Sequence, residues 1–265
     1  MIQSIDDLKK LDEEISAEFA EAHKFLHYLL MESEQKRTAE ICFAFMTGTN
    51  YLKSSLFDCA ENEDYYSMSV LLRSLTEHYL RFNYFWLNYS KTKSENYAMK
   101  FVVSLEFYER LTIENAINAA KQIKHEEIKT SDQIWEEIKK SNREFEVYSK
   151  QEIDEFSKNL SIKNIIRYIE RNMKESGFDT NDFLQRRIVE YAQLSSFVHG
   201  GIYAFKRTVD LGVSKDRERI VIGICGTALQ MASSIKIWSY LVFSTSIPEF
   251  KDFYDKTLES LKKLR

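Results

Sequence analysis

The chain has 265 residues, of which 44% are hydrophobic, with 18 Phe and 15 Tyr but only 7 Gly and 1 Pro. That composition excludes collagen-like, low-complexity and disordered chains, and a β-sandwich would need many more turn residues. The net charge of −4 supplies no global attraction to nucleic acid.

The N-terminal MIQSIDDLKKLDEE is acidic and has no apolar core, so it does not read as a signal peptide. Ser4 followed by Asp7 predicts a capped helix reaching about Met31. His23 and His27 lie on one face of it, at a spacing that can hold a metal, but no acid sits at the right offset and a packing role is expected. A second helix is predicted over Glu34 to Ala60, with Ile41, Phe45, Leu52 and Leu56 at helical spacing. A third covers Asp64 to Asn88 and a fourth Glu95 to Lys124. Ser131 is read as the cap of a fifth helix, over Asp132 to Tyr148. Ser161 is read as the cap of a sixth, with Gly177 as its C-terminal stop. A seventh runs from Asn181 to the Gly200-Gly201 pair, and Asp210 to Ser214 reads as a loop. An eighth covers Lys215 to Ser244, and Ser246-Ile247-Pro248-Glu249 starts a last helix.

These elements predict an all-α protein, a single helical-bundle domain over residues 1–265 with about eight or nine helices. The polar stretch 126–158 is expected to be a peripheral helical arm or insertion. Ile220 to Phe243 is long enough to span a bilayer, yet Gln230, Ser233, Ser234 and Lys236 argue for a buried core helix, so no membrane contact is expected. Cys42, Cys59 and Cys225 are an odd, widely spaced set in apolar runs, which reads as reduced thiols and a cytoplasmic setting. Charge is uneven: residues 1–64 carry 14 acids and 6 bases, whereas 157–219 carry 12 bases and 8 acids. An anionic ligand would prefer the second region.

Two segments carry candidate chemistry. On the third helix, with Arg73 at 0°, Ser69, Glu77, Arg81 and Tyr84 fall between about −40° and 80°. Arg73 and Glu77 can pair at i,i+4, either on the surface or as a polar stripe facing a cleft. On the seventh helix Ala192, Ser195, Ser196, His199 and Tyr203 share a face that Lys206 continues, beside the flexible Gly200-Gly201 pair. No Cys-x-x-Cys, phosphate-binding Gly-Lys-Ser/Thr loop or Gly-x-Ser-x-Gly elbow occurs, and no motif calls for a metal or cofactor.

Leu72-Arg73, Glu77, Arg81 and Trp86, followed by Ser196, His199, Gly200 and Gly201, resemble uncharacterised bacterial helical proteins related to the HEPN superfamily and to abortive-infection proteins. The resemblance covers about 40 residues by the motif count. It implies a defence or toxin protein acting on RNA as a metal-independent endoribonuclease, as a homodimer or with a cognate defence-system partner. The family's Arg–His spacing is met by Arg73 and His78, but on an early helix and with Ser74 after the Arg. His78 also lies about 140° from Arg73, so His199 is the preferred histidine.

RNA cleavage without a metal needs a base for the 2′-hydroxyl and a cation for the developing phosphorane. The expected catalytic set is Arg73, Glu77 and His199, with Arg81, Ser196, Tyr203 and Lys206 binding substrate. It requires the third and seventh helices to pack together, within a subunit or across a dimer. The alternative is a non-catalytic helical module for a protein partner or a nucleotide, with Arg73, Glu77 and His199 as a buried structural network.

Overall fold

A computed structural model describes the backbone of residues 4–141, 143–175 and 182–264, and the side chains of these except at 173–175 and 182–184. Among the described residues all the regular structure is helical. In chain order the helices are α1 (Ile5–Ala22), α2 (Leu26–Met31), α3 (Lys36–Glu61), α4 (Tyr65–Thr92), α5 (Glu95–Ile123) and α6 (Ser131–Ser141). There follow α7 (Lys150–Asn159), α8 (Ile162–Glu175), α9 (Asp182–Val198), α10 (Ile202–Val213), α11 (Arg217–Phe243) and α12 (Glu249–Lys262). Short 3-10 turns occupy His23–Phe25 and Arg143–Val147.

The all-α class therefore holds, with more helices than the eight or nine expected. The first predicted helix divides at the 3-10 turn into α1 and α2. Ser4 and Asp7 exchange the two bonds of a capping box, at 3.1 and 3.2 Å. The fifth predicted helix starts one residue early: Thr130, not Ser131, exchanges cap bonds with Gln133. The expected stop at Gly177 and start at Asn181 lie outside the described residues.

Sequence reading misses α10. The loop assigned to Asp210–Ser214 is helical to Val213, and only residues 214–216 link it to α11. Ala204 is fully buried and Leu211 packs against the core, so tertiary burial outweighs the loop-forming Asp and Gly.

The helices α3, α4 and α11 pack against one another at the centre. Phe82 and Phe85 of α4 are fully buried, each stabilising the fold by about 1.5–3 kcal/mol. Trp86 of α4 meets Trp238 of α11 with ring centroids 4.3 Å apart. More than half of the most apolar stretch of α11 is inside the bundle, although its length and composition suit a membrane span. The stretch 126–158 has its own small core, in which Trp135 packs edge-on against both Phe107 of α5 and Phe145.

Buried charge marks the contact of α3 with α11. Lys53 and Lys236 are both almost wholly buried. Lys53 pairs with Asp12, and both ammonium groups donate to Asn50 Oδ1, at 3.0 and 3.3 Å. Lys236 also stands 4.9 Å from the Phe19 ring centroid. Burial, reinforced by the charge of Lys53, pulls the Lys236 ammonium down to about 7.

Candidate functional site

The two helices with candidate chemistry pack directly against each other. They run antiparallel: Tyr66 near the start of α4 donates to the carbonyl of Phe197 near the end of α9, and Arg73 further along α4 reaches Tyr191 further back on α9. Large residues fill both sides of α4, and Ser69 and Tyr84 of the predicted polar stripe are buried.

Arg73, Glu77 and Arg81 form one half-buried network. Arg73 Nη1 donates to Glu77 Oε2 at 2.8 Å, and Nη2 donates to the Tyr191 hydroxyl at 2.8 Å. Arg81 donates through Nε and Nη2 to Glu77 Oε1, at 3.2 and 2.9 Å. Each of the three charged side chains is about one-fifth exposed. Burial pushes the Glu77 carboxyl up, but the bonds and charges of Arg81 and Arg73 outweigh it and leave the group below the usual carboxylate range. Tyr191 is pushed up by burial and then by the charge of Glu77, so its phenol stays protonated.

His199 is not in this network. It follows the last residue of α9, eight residues beyond Tyr191, or about 12 Å along the helix axis. Its side chain is exposed. Gly200 then turns the chain in the left-handed region (φ +64°), and Gly201 N–H closes the end of α9 by donating to Ser196 O at 2.9 Å. A Cβ on Gly201 would fall 2.4 Å from Ser196 Oγ, so the hydroxyl expected to bind substrate lies against the turn. Tyr203 and Lys206 follow, both exposed, on the first turns of α10.

The structure thus brings Arg73, Glu77 and Arg81 together, and separately groups Ser196, His199, Tyr203 and Lys206 around the α9–α10 turn. It does not bring Arg73 to His199. His78 follows Glu77 on α4 but takes another face, its ring edge-on to Phe45 of α3 and its Nδ1 2.9 Å from Ser74 O. His23 packs on Phe19 and Phe43 as expected, whereas His27 is exposed rather than packed. Among the described residues no cluster of three or more metal-ligating side chains occurs, and the three cysteines are free.

Between α4, α9, α10 and α11 lies a cavity of about 290 Å3. Arg187, Glu190 and Gln193 of α9 line it, with Tyr65 of α4 and with Tyr203 and Arg207 of α10. Burial raises the Glu190 carboxyl despite the bond from Arg187. Apart from Tyr203, none of these was singled out in the sequence. The one available signal was that Arg187, Glu190, Tyr191 and Leu194 recur at helical spacing on one face of α9.

Residues 39–218 match the model of a family of unknown function, DUF5677, and the chain belongs to that family. The matched span includes both α4 and α9. Comparison with curated proteins and with solved structures gives no match.

Proposed function

We propose that this chain is a HEPN-like helical protein of a cytoplasmic defence or toxin system, acting on RNA as a metal-independent endoribonuclease at the α9–α10 turn. The supporting observation is the placement of His199: an exposed imidazole at a glycine-made turn, with Tyr203 and Lys206 exposed just beyond it.

In this reading His199 takes the proton of a ribose 2′-hydroxyl as its oxygen attacks the adjacent phosphorus. The bond to the 5′-oxygen breaks, leaving a 2′,3′-cyclic phosphate, and the departing 5′-oxygen takes a proton from the imidazolium or from water. Lys206 offers the nearest exposed positive charge in sequence for the phosphorane oxygens, and Tyr203 offers a ring on which a base can stack. Arg73, Glu77 and Arg81 act as positioning residues, because their charges are spent on one another and on Tyr191. They hold α9, and with it the turn, against the central helix α4.

The test is incubation of the purified protein with transfer RNA and total RNA in EDTA. Wild type should cut, and His199→Ala should fold normally and not cut. An inert wild type, or equal cutting by both proteins, would sink the nuclease reading.

A second reading has its own support in the cavity beside α9. Arginine, carboxylate, amide and aromatic side chains converge there, as they do in sites for small charged ligands such as a nucleotide. Under that reading mononucleotides should raise the melting temperature of the wild type and not of Arg207→Ala.

A further inference from the structure

Helix α10 has two distinct faces. At 100° per residue, Tyr203, Ala204, Arg207, Thr208 and Leu211 fall on one side, over an arc of about 140°. Ala204 is buried and the other four line the cavity, so this is the inward face. Ile202, Phe205, Val209 and Val213 lie within an arc of about 80° on the outward face. They are 76%, 69%, 48% and 78% exposed. A surface helix ordinarily turns charged residues outward. Four large apolar side chains in one exposed row mark a contact surface.

We propose that this row is the interface of a homodimer, formed by α10 packing antiparallel against α10 of a second copy. The pattern is complementary to itself. Around a twofold axis at the middle of the helix, Ile202 meets Val213 of the partner subunit and Phe205 meets Val209 of the partner subunit, each contact being made twice. The bordering charges fit the same register. Lys206 and Asp210 lie on one flank of the row, both exposed. In an antiparallel helix pair each flank faces its own copy, so Lys206 meets the partner's Asp210 and Asp210 meets the partner's Lys206. The opposite flank carries Thr208 and Gly212, and a Cβ at Gly212 would meet nothing within 4 Å, so the backbones can approach there. A parallel pairing would set the Lys206–Asp210 flank against the uncharged Thr208–Gly212 flank, so neither charge would find a partner across the interface.

The antiparallel arrangement also brings the end of one α10 beside the start of the other. The exposed Lys215, just past that end, would then lie near the turn that carries His199 in the second copy. This last consequence rests on the RNA reading; the pairing of the helices does not.

Sedimentation velocity on the full chain across the micromolar range tests the interface. The wild type should sediment as a dimer. Phe205→Glu and, separately, Val213→Glu should weaken association at least about tenfold with unchanged circular dichroism, because neither side chain packs inside the subunit. Lys206→Asp alone and Asp210→Lys alone should weaken it, and the double exchange should restore it. A wild type that stays monomeric, or a dimer indifferent to both Glu substitutions, would overturn the proposal. So would a monomer that co-floats with phosphatidylserine-containing vesicles, which would assign the row to a lipid surface. None of these outcomes is read from RNA cleavage, so the interface can fail without the nuclease reading; where it forms, Lys206 is spent on the partner's Asp210 and the exposed Lys215 of the second copy is the cation beside His199.

Discussion

Arg73 on α4 and Tyr191 on α9 are joined by a 2.8 Å hydrogen bond, and the guanidinium carbon lies 4.8 Å from the centroid of the same ring. One cation therefore uses both the polar tip and the aromatic body of one tyrosine, while Glu77 balances its charge. The contact links two helices 118 residues apart in sequence. It also explains why Arg73 is an unsuitable phosphate ligand: reaching a substrate would break the link and leave Glu77 with Arg81 alone.

This relationship predicts a measurable coupling. Arg73→Ala and Tyr191→Phe should each lower stability in urea denaturation, and the two losses should not add. A coupling energy of about 0.5–1.5 kcal/mol is expected for a half-buried bond of this kind. Strict additivity would mean that the two side chains do not interact in solution.

Glu77 gives the network a pH signature. Its folded carboxyl titrates below its unfolded value, so its contribution is fully present above the unfolded value of about 4.3 and is lost as pH falls through the folded one. Wild type should exceed Glu77→Gln in stability at neutral pH, and the gap should close on acidification below about pH 4.3. A gap that stays constant with pH would show that Glu77 acts by shape and hydrogen bonding alone.

The buried lysines predict a slope of the same sign at higher pH, because their folded values also lie below the unfolded ones. Lys236 titrates at about 7 in the fold, against an ordinary 10.5. The unfolded chain thus binds an extra proton between those values, and this residue's contribution to stability rises with pH across that window. The full cost of burying its charge is present below the folded value. Lys53 faces the same space and is also lowered by burial, so it adds to the slope, while Asp12 opposes both shifts. Lys236→Met should raise stability by on the order of 1–4 kcal/mol at pH 6 and flatten the rise above pH 7. Urea midpoints at pH 6 and pH 9 decide it: a destabilised Lys236→Met protein at pH 6 would mean that the ammonium is well solvated or paired.

The fold class was legible because apolar residues recur at helical spacing through long segments, and because Ser4, Ser161 and Pro248 sit where helices begin. The pairing of α4 with α9 entered only as a requirement of the expected catalytic set; the helices do pack, but through Arg73 and Tyr191 and not through His199. The partner of Arg73 was not legible. Tyr191 was in view, but its distance from Arg73 in space depends on the antiparallel register of the two helices, and local spacing carries no information on that. The same limit placed His199 with Arg73, although both sit on helices that do meet. The hidden lysines escaped for another reason: a Lys reads as exposed or snorkelling unless its burial is seen.

The course of the chain around α10 yields opposite signs for one type of substitution. Gly200 occupies the left-handed region, so Gly200→Ala should cost about 1–2 kcal/mol, and Gly200→Asn less, because a short polar side chain tolerates that conformation. Gly212 lies within α10, and a methyl group there would meet nothing within 4 Å. Gly212→Ala should therefore stabilise by about 0.5–1 kcal/mol, since it restricts the unfolded chain and suits the helix. Had 210–214 been the loop that its Asp, Gly and Ser suggest, Gly212→Ala would be neutral or harmful. Urea midpoints of the two alanine variants separate the cases. A stabilising Gly212→Ala beside a destabilising Gly200→Ala would fix the helix at residue 212 and the turn at residue 200, the geometry on which both the exposed imidazole and the outward apolar row depend.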